Sequence, residues 1–156
     1  MKITALYYPH DICAMYTLYP ILRSRYSSMF DFTTDREEVF RFKKNRVICI
    51  FRFFLYRLSD GETRAYLRRL REQYDRIVYF EDGPDPRKIY LDAIDEVDIY
   101  YKKSLLKDRS LYKKPYYGET LYGDYYHAKF GVCDAAESVA RPLDDAQIAK
   151  LRLAWN

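Results

Sequence analysis

The chain has 156 residues, 49% of them hydrophobic and 32% charged, and a net charge of +4. This composition fits one folded domain with its own core and excludes a disordered or low-complexity chain. Three widely spaced cysteines, two histidines and no apolar run of ~18 residues predict no disulfide framework, zinc site or membrane span, so we expect a soluble cytoplasmic protein with free thiols.

The chain opens with a strand and a helix. Residues 3–8 form an apolar run that predicts a buried strand, and Asp11 is placed to cap the helix that follows. The apolar positions of that helix have helical spacing and are Ile12, Met15, Tyr16, Tyr19 and Leu22. Pro20 should kink or divide the helix. The polar stretch 31–38 contains Thr34 and Glu37 in capping-box spacing, which favours a short helix after them.

The middle of the chain continues the alternation of strand and helix. The predicted elements are, in order, a strand over 47–55, a helix over 62–74, a strand over 76–80, a helix over 87–94 and a strand over 97–101. This order is the βαβ signature. We therefore predict an α/β fold, a Rossmann-like and mainly parallel sheet with helices on both faces, in which Ile3, Ile50, Val78 and Ile99 are buried.

The C-terminal third is less regular until its end. Residues 102–133 are rich in tyrosine and glycine and predict a loop with one short strand near 129–133. Asp144 and Gln147 then have the spacing of a capping box and begin a final helix that we expect to reach Asn156. Because that helix ends without a glycine or polar tail, we expect residues 1–156 to be a single domain, the N-terminal part of a longer two-domain protein.

Polar residues follow each predicted strand, at the sheet edge where open parallel sheets bind ligands. The catalytic candidates are His10, Asp11, Glu81 and Asp82. His10 oriented by Asp11 has the chemistry of a general base, although Asp11 is also explained as a helix cap. Glu81 and Asp82 could act as a base or bind a sugar hydroxyl or a metal, and turn chemistry is the alternative.

Candidate substrate-binding residues flank these acids. They are Tyr8, Arg57, Tyr101, Lys102, Lys103, Tyr116 and Tyr117. The three cations have the chemistry to hold a phosphate or an acidic sugar, unless they are ordinary solvated loop residues. The tyrosine-rich segment 112–126 is expected to form one wall of the site. Charge is also segregated along the chain. The basic blocks could form a surface that attracts phosphates or an anionic membrane, and the alternative is an ordinary solvated face.

Several signatures are absent from the sequence. No Asp-x-Asp metal motif, Gly-x-Gly-x-x-Gly or P-loop sequence occurs, so we expect no bound metal and no cofactor. No helix-turn-helix pattern accompanies the basic residues, so we expect no nucleic-acid partner.

Three segments carry a family resemblance. Lys-Ile-Thr-Ala-Leu-Tyr-Tyr-Pro at 2–9, Arg-Ile-Val-Tyr-Phe-Glu-Asp-Gly at 76–83 and Val-Asp-Ile-Tyr-Tyr-Lys-Lys-Ser-Leu-Leu-Lys-Asp at 97–108 resemble the amino-terminal half of bacterial glycosyltransferases of the GT-B architecture. The similarity covers roughly the first two thirds of the chain.

The resemblance implies a function in polysaccharide biosynthesis. In that family the amino-terminal half binds the acceptor, so the implied partner is a glycan or lipid-linked acceptor, with peripheral membrane contact. The nucleotide-sugar would be bound by a second domain that this sequence lacks. The alternative is a non-catalytic Rossmann-like module that binds a nucleotide or another anion through Arg57, Lys102 and Lys103.

Overall fold

The computed structural model describes residues 2–133 and 138–154. Its strands and α-helices are β1 (Ile3–Leu6), α1 (Ile12–Leu22), β2 (Phe30–Thr33), β3 (Val47–Phe51), α2 (Asp60–Arg71), β4 (Arg76–Glu81), α3 (Leu91–Glu96), β5 (Ile99–Lys102), β6 (Tyr116–Tyr117), α4 (Leu121–Phe130), β7 (Val139–Ala140), α5 (Asp145–Lys150) and β8 (Leu151–Leu153). Short 3-10 helices occur at Arg25–Met29, Glu38–Arg41, Arg52–Arg57 and Arg109–Lys113. No helix in these ranges combines the length and apolar character needed to cross a bilayer.

Six strands form one sheet in the order β2-β1-β3-β4-β5-β8, and every neighbouring pair is parallel. The strand order reverses between β1 and β3, which is the position where open α/β sheets bind their ligands. The predicted α/β fold, a Rossmann-like parallel sheet, is therefore confirmed. Of the four side chains expected to be buried, Ile50 and Val78 are, while Ile3 and Ile99 are half-buried.

The main core lies between the sheet and the helices α2 and α3. Alternate residues of each strand face this side, so Ile48, Ile50 and Tyr79 are fully buried there. Tyr100 packs edge-to-face on Tyr79 at 5.0 Å and donates its hydroxyl to Glu81. Tyr74 likewise donates its hydroxyl to a backbone carbonyl at 2.7 Å. The hydroxyls of Tyr74 and Tyr100 thus find partners in this core, whereas the buried hydroxyl of Tyr79 has none among the described residues.

The opposite face of the sheet is covered by α1, which packs Ala14 and Leu18 on Phe51. Three of the predicted apolar positions of this helix face solvent, since Ile12, Tyr16 and Tyr19 are 70%, 78% and 54% exposed, whereas Leu22 packs against the core. Small Ala14 lets the helix backbone approach the strands, so the helix buries the side opposite to its largest apolar residues. The helix is also continuous through Pro20.

The short helix favoured after Thr34 and Glu37 is present as the 3-10 helix Glu38–Arg41. Residues 30–33, before it, form the edge strand β2, in which Phe30 and Phe32 pair with Ile3 and Ala5. The strand expected over 129–133 is instead the end of α4, and Gly131 closes that helix with a left-handed φ of 66°.

The final helix begins as expected, with the Asp144–Gln147 capping box in place. It ends at Lys150 rather than continuing, and Leu151 starts β8 beside Tyr100. Leu151 is only 2% exposed, so burial against the sheet outweighs helical propensity there. The predicted continuation to Trp155 and Asn156 lies outside the described residues.

Candidate functional site

Two acidic side chains meet at the carboxyl edge of the sheet. Asp11 precedes α1, and its carboxylate accepts a hydrogen bond from the backbone N–H of Cys13 at 3.0 Å. Asp82 follows β4 directly. One ligand-type atom of each of Asp11, Cys13 and Asp82 lies within 4.8 Å of the others. The parallel topology brings these residues together although about 70 positions separate them in sequence.

Arg52, the first residue after β3, is ion-paired with Glu81, which ends β4, and with Asp82, which follows it. Its Nε lies 3.2 Å from Glu81 Oε1 and its Nη1 lies 3.3 Å from Asp82 Oδ1. Burial lowers the pKa of Arg52, but Glu81, Tyr56 and Asp82 raise it by more, so the guanidinium stays charged. Arg52 therefore fixes the position of Asp82 at the edge of the site.

Glu81 is already saturated with protein contacts. Its carboxylate accepts hydrogen bonds from the Gly83 N–H at 2.9 Å, the Tyr56 hydroxyl at 3.1 Å and the Tyr100 hydroxyl at 3.4 Å. A Cβ at Gly83 would lie 2.7 Å from Glu81 Oε1, so a larger residue there would displace the Glu81 carboxylate. Glu81 is 3% exposed, and its carboxylate is engaged by the protein rather than free for a ligand.

The Asp11 carboxyl has the electrostatics of a proton acceptor. Burial raises the pKa of Asp11, and the nearby charge of Asp82 raises it further. The Oδ2 atom of Asp82 is buried and has no hydrogen-bond partner among the described residues. The pair thus combines a carboxyl of increased basicity with a second carboxylate that Arg52 holds in place through Oδ1.

An open cavity of about 240 Å³ adjoins the two acids. Its floor is aromatic, because Phe51 and Phe80 stack with their ring centres 4.9 Å apart. Tyr101 continues the stack beside Phe80 at 5.0 Å. Asp82 and Lys103 line one end of the cavity. An adjoining opening of about 450 Å³ shares that end and is lined by His10, Asp11, Cys13, Arg52, Asp82 and Lys103, among others.

The structure therefore brings together six of the predicted site residues. Five line or support the two cavities, and the sixth belongs to the ring stack. The members that line or support the site are His10, Asp11, Glu81, Asp82 and Lys103, with Tyr101 at the end of the stack.

The remaining predicted residues lie elsewhere. Arg57 donates to the Tyr8 hydroxyl at 2.6 Å, and both line a separate opening. Lys102 is buried and donates to the Lys88 carbonyl at 2.6 Å. Tyr116 packs against the guanidinium of Arg87, and Tyr117 stacks on the ring of His127. No residue of 112–126 lines the two cavities beside the acids in the described part of the chain.

Sequence reasoning missed three important residues of the site, Arg52, Phe51 and Phe80. The predicted strand over 47–55 ran four residues too far, so Arg52 was counted inside a strand instead of just after it. The charge of Arg52 in an otherwise apolar run was the signal that could have marked this strand end.

A cation could contact Asp11, Cys13 and Asp82 at one point. Both carboxylates are nevertheless explained without a metal, since Asp11 caps α1 and Asp82 pairs with Arg52. No family model, curated protein or solved structure matches this chain.

Proposed function

We propose that this chain is the acceptor-binding part of a GT-B-type glycosyltransferase, which transfers a sugar from a nucleotide-sugar to a glycan or lipid-linked acceptor. One observation carries the proposal: an aromatic floor and a pair of carboxylates line two adjoining cavities that share Asp82, at the carboxyl edge beside the strand-order reversal. The resemblance of the strand-end segments to that family is consistent with it.

The cavity has the mixed chemistry that sugars require. The C–H faces of a pyranose ring are apolar and stack on aromatic rings, and Phe51 and Phe80 present such rings. Sugar hydroxyls need hydrogen-bond partners at the ring edge, and Asp82 and Lys103 stand at the end of the floor. A nucleotide would instead favour a glycine-rich phosphate loop, and the sequence contains neither of the usual signatures.

Asp11 is the proposed general base. Sugar transfer requires a proton to leave the attacking hydroxyl of the acceptor, and a carboxylate with a raised pKa takes that proton more readily. Burial and Asp82 raise the pKa of Asp11 in this way. Asp82, which Arg52 holds through Oδ1, lines the same opening and orients the hydroxyl. The acceptor oxygen then attacks the anomeric carbon of a donor held by another domain, and the nucleotide leaves with the electron pair of the broken bond between that carbon and the phosphate oxygen.

The alternative of an anion-binding module has weaker support. Of its three cations, Arg57 is engaged with Tyr8, and Lys102 is buried with its amine on a backbone carbonyl. Lys103 alone of the three lines the cavity beside the acids. These cations do not converge on one anion.

Ligand-detected NMR with a panel of disaccharides, such as cellobiose, lactose, maltose and chitobiose, tests the acceptor site directly. At least one member should bind the wild-type chain, and Phe80→Leu should weaken that binding about tenfold, because the change keeps an apolar side chain but removes the ring. Phe130→Leu makes the same change at a 60% exposed position on α4 and should have no effect. Binding that survives Phe80→Leu would contradict the proposed site.

The role of Asp11 is tested in the protein together with its donor-binding part. Asp11→Asn keeps the shape of the side chain and its capping oxygen, so the fold and acceptor binding should persist. The transfer rate should fall by ~10²-fold or more. His10→Ala is the matched comparison, because His10 lines the same opening but is exposed. A loss that follows His10 instead of Asp11 would assign the base to the imidazole.

A further inference from the structure

The outward face of α1 carries large apolar side chains in solvent. Ile12, Tyr16 and Tyr19 recur at helical spacing and are 70%, 78% and 54% exposed. With Met15 they line a shallow groove of about 620 Å³. The other side of the same helix packs Ala14 and Leu18 on the sheet, so the outward face does not contribute to the core. Contiguous apolar surface of this kind marks an interaction site.

Positive charge borders this face. Arg23 lies next along the stripe of α1, with its guanidinium 5.4 Å from the ring centre of Tyr19. Arg25 follows, 5.0 Å from the ring centre of Tyr26, and both arginines are exposed. Neither is ion-paired with a carboxylate among the described residues. The sequence from residue 12 to residue 29 contains no aspartate or glutamate.

We propose that the outward face of α1, continued by Arg23 and Arg25, docks on an anionic phospholipid bilayer. A helix with apolar side chains on one stripe and cations beside them lies in the plane of the lipid interface. Isoleucine and methionine enter the acyl boundary, tyrosines stay at the headgroup level, and arginines bind lipid phosphates. A protein partner would need an apolar centre with an acidic rim that matches this face in shape. An anionic bilayer presents a negatively charged surface above an apolar interior and needs no matching shape.

The docking surface lies beside the acceptor cavity. Tyr16 lines both the outward groove and the cavity that contains the aromatic floor. A docked chain would therefore hold that cavity against the lipid surface. If the proposed transferase function is correct, on which this step rests, the acceptor is a lipid-linked sugar rather than a free glycan.

Vesicle co-sedimentation tests the docking surface without any sugar. The wild-type chain should bind vesicles of mixed phosphatidylcholine and phosphatidylglycerol more strongly than vesicles of phosphatidylcholine alone. The double variant Arg23→Glu, Arg25→Glu should lower binding to the anionic vesicles by roughly fivefold or more for each arginine. The pair Ile12→Ser, Tyr16→Ser should lower it about tenfold or more. These side chains are exposed, so the fold should persist, as circular dichroism would verify.

A matched charge reversal separates this surface from general electrostatic attraction. Lys107→Glu with Lys114→Glu changes the net charge equally at exposed positions after β5, and should leave most vesicle binding intact. Equal losses in both double variants, or no preference for anionic lipid, would overturn the proposal. Sedimentation velocity adds the remaining outcome: a dimer that Ile12→Ser, Tyr16→Ser dissociates would show that a second copy of the chain covers this face. Sugar binding by Phe80 is measured separately, so either proposal can fail alone.

Discussion

Lys102 provides a quantitative test of the geometry at the carboxyl edge. The sequence predicts it in contact with a ligand, whereas the structure leaves it 1% exposed. Burial lowers the pKa of Lys102 to about 8 from 10.5, with Glu81 and Asp85 opposing part of that effect. Between these two values the unfolded chain binds more protons than the folded chain, so the free energy of unfolding rises with pH.

The expected size follows from the two pKa values. At about 1.4 kcal/mol per pH unit, keeping a charged amine in this site costs on the order of 3 kcal/mol at neutral pH. Raising the pH from about 7 to about 9.5 should recover roughly 2 kcal/mol of it. Higher pH is less informative, because buried Tyr79 and Tyr100, whose pKa values burial raises well above 10.0, favour unfolding once unfolded tyrosines ionise.

Urea unfolding of the wild type and Lys102→Met across this pH range isolates the contribution. The difference in free energy of unfolding, wild type minus variant, should rise with pH by roughly 2 kcal/mol. Lys107→Met, at an exposed position, should follow the wild-type profile. A difference that stays constant with pH would show that the amine of Lys102 is solvated, and would restore it as a ligand-binding candidate.

Three further results are expected. The exposed Cys13 and Cys133 should react rapidly with a thiol reagent in the native chain, while Cys49, whose thiol pKa burial raises to about 12, should react only after unfolding; a disulfide between any two would contradict the structure. Arg52→Gln should destabilise the fold by about 3 kcal/mol in urea unfolding, because it leaves Glu81 buried without its guanidinium partner; a loss below about 1 kcal/mol would show that other donors are sufficient. Asp144→Ala should cost about 1 kcal/mol, since it removes the cap of α5.

The sequence predicted the parallel sheet because its inner strands are continuous apolar runs. Val47–Phe51 and Arg76–Glu81 are central, largely buried strands. Such strands can be recognised from their apolar composition. The edge strands were harder to predict. Phe30–Thr33 and Leu151–Leu153 are short and half-exposed, and only pairing with a neighbour decides that they are strands.

The side of α1 that packs on the sheet was not predictable, for a related reason. Periodicity locates the apolar stripe of a helix but cannot say whether the stripe or its opposite side packs on the sheet. Here the side with Ala14 and Leu18 packs, because a small residue allows close contact with Phe51. The convergence of Asp11 and Asp82 was predictable from topology. The aromatic floor was not, since it depends on which face of each strand remains open.

The register of the central strands connects the floor to the acids. Phe51 pairs with Phe80 and Phe80 with Tyr101, so the three rings stand side by side on the face that α1 leaves partly open. Glu81 pairs with Lys102 on one side, and Arg52 follows Phe51 on the other. Glu81 is therefore neutralised within the sheet edge, while the next residue, Asp82, returns to the face of the rings. A slip of β4 by one residue would turn Phe80 and Asp82 together to the opposite face of the sheet and would separate them from Phe51 and Asp11. The alignment that stabilises the sheet thus also sets the spacing between the apolar floor and the carboxylate pair.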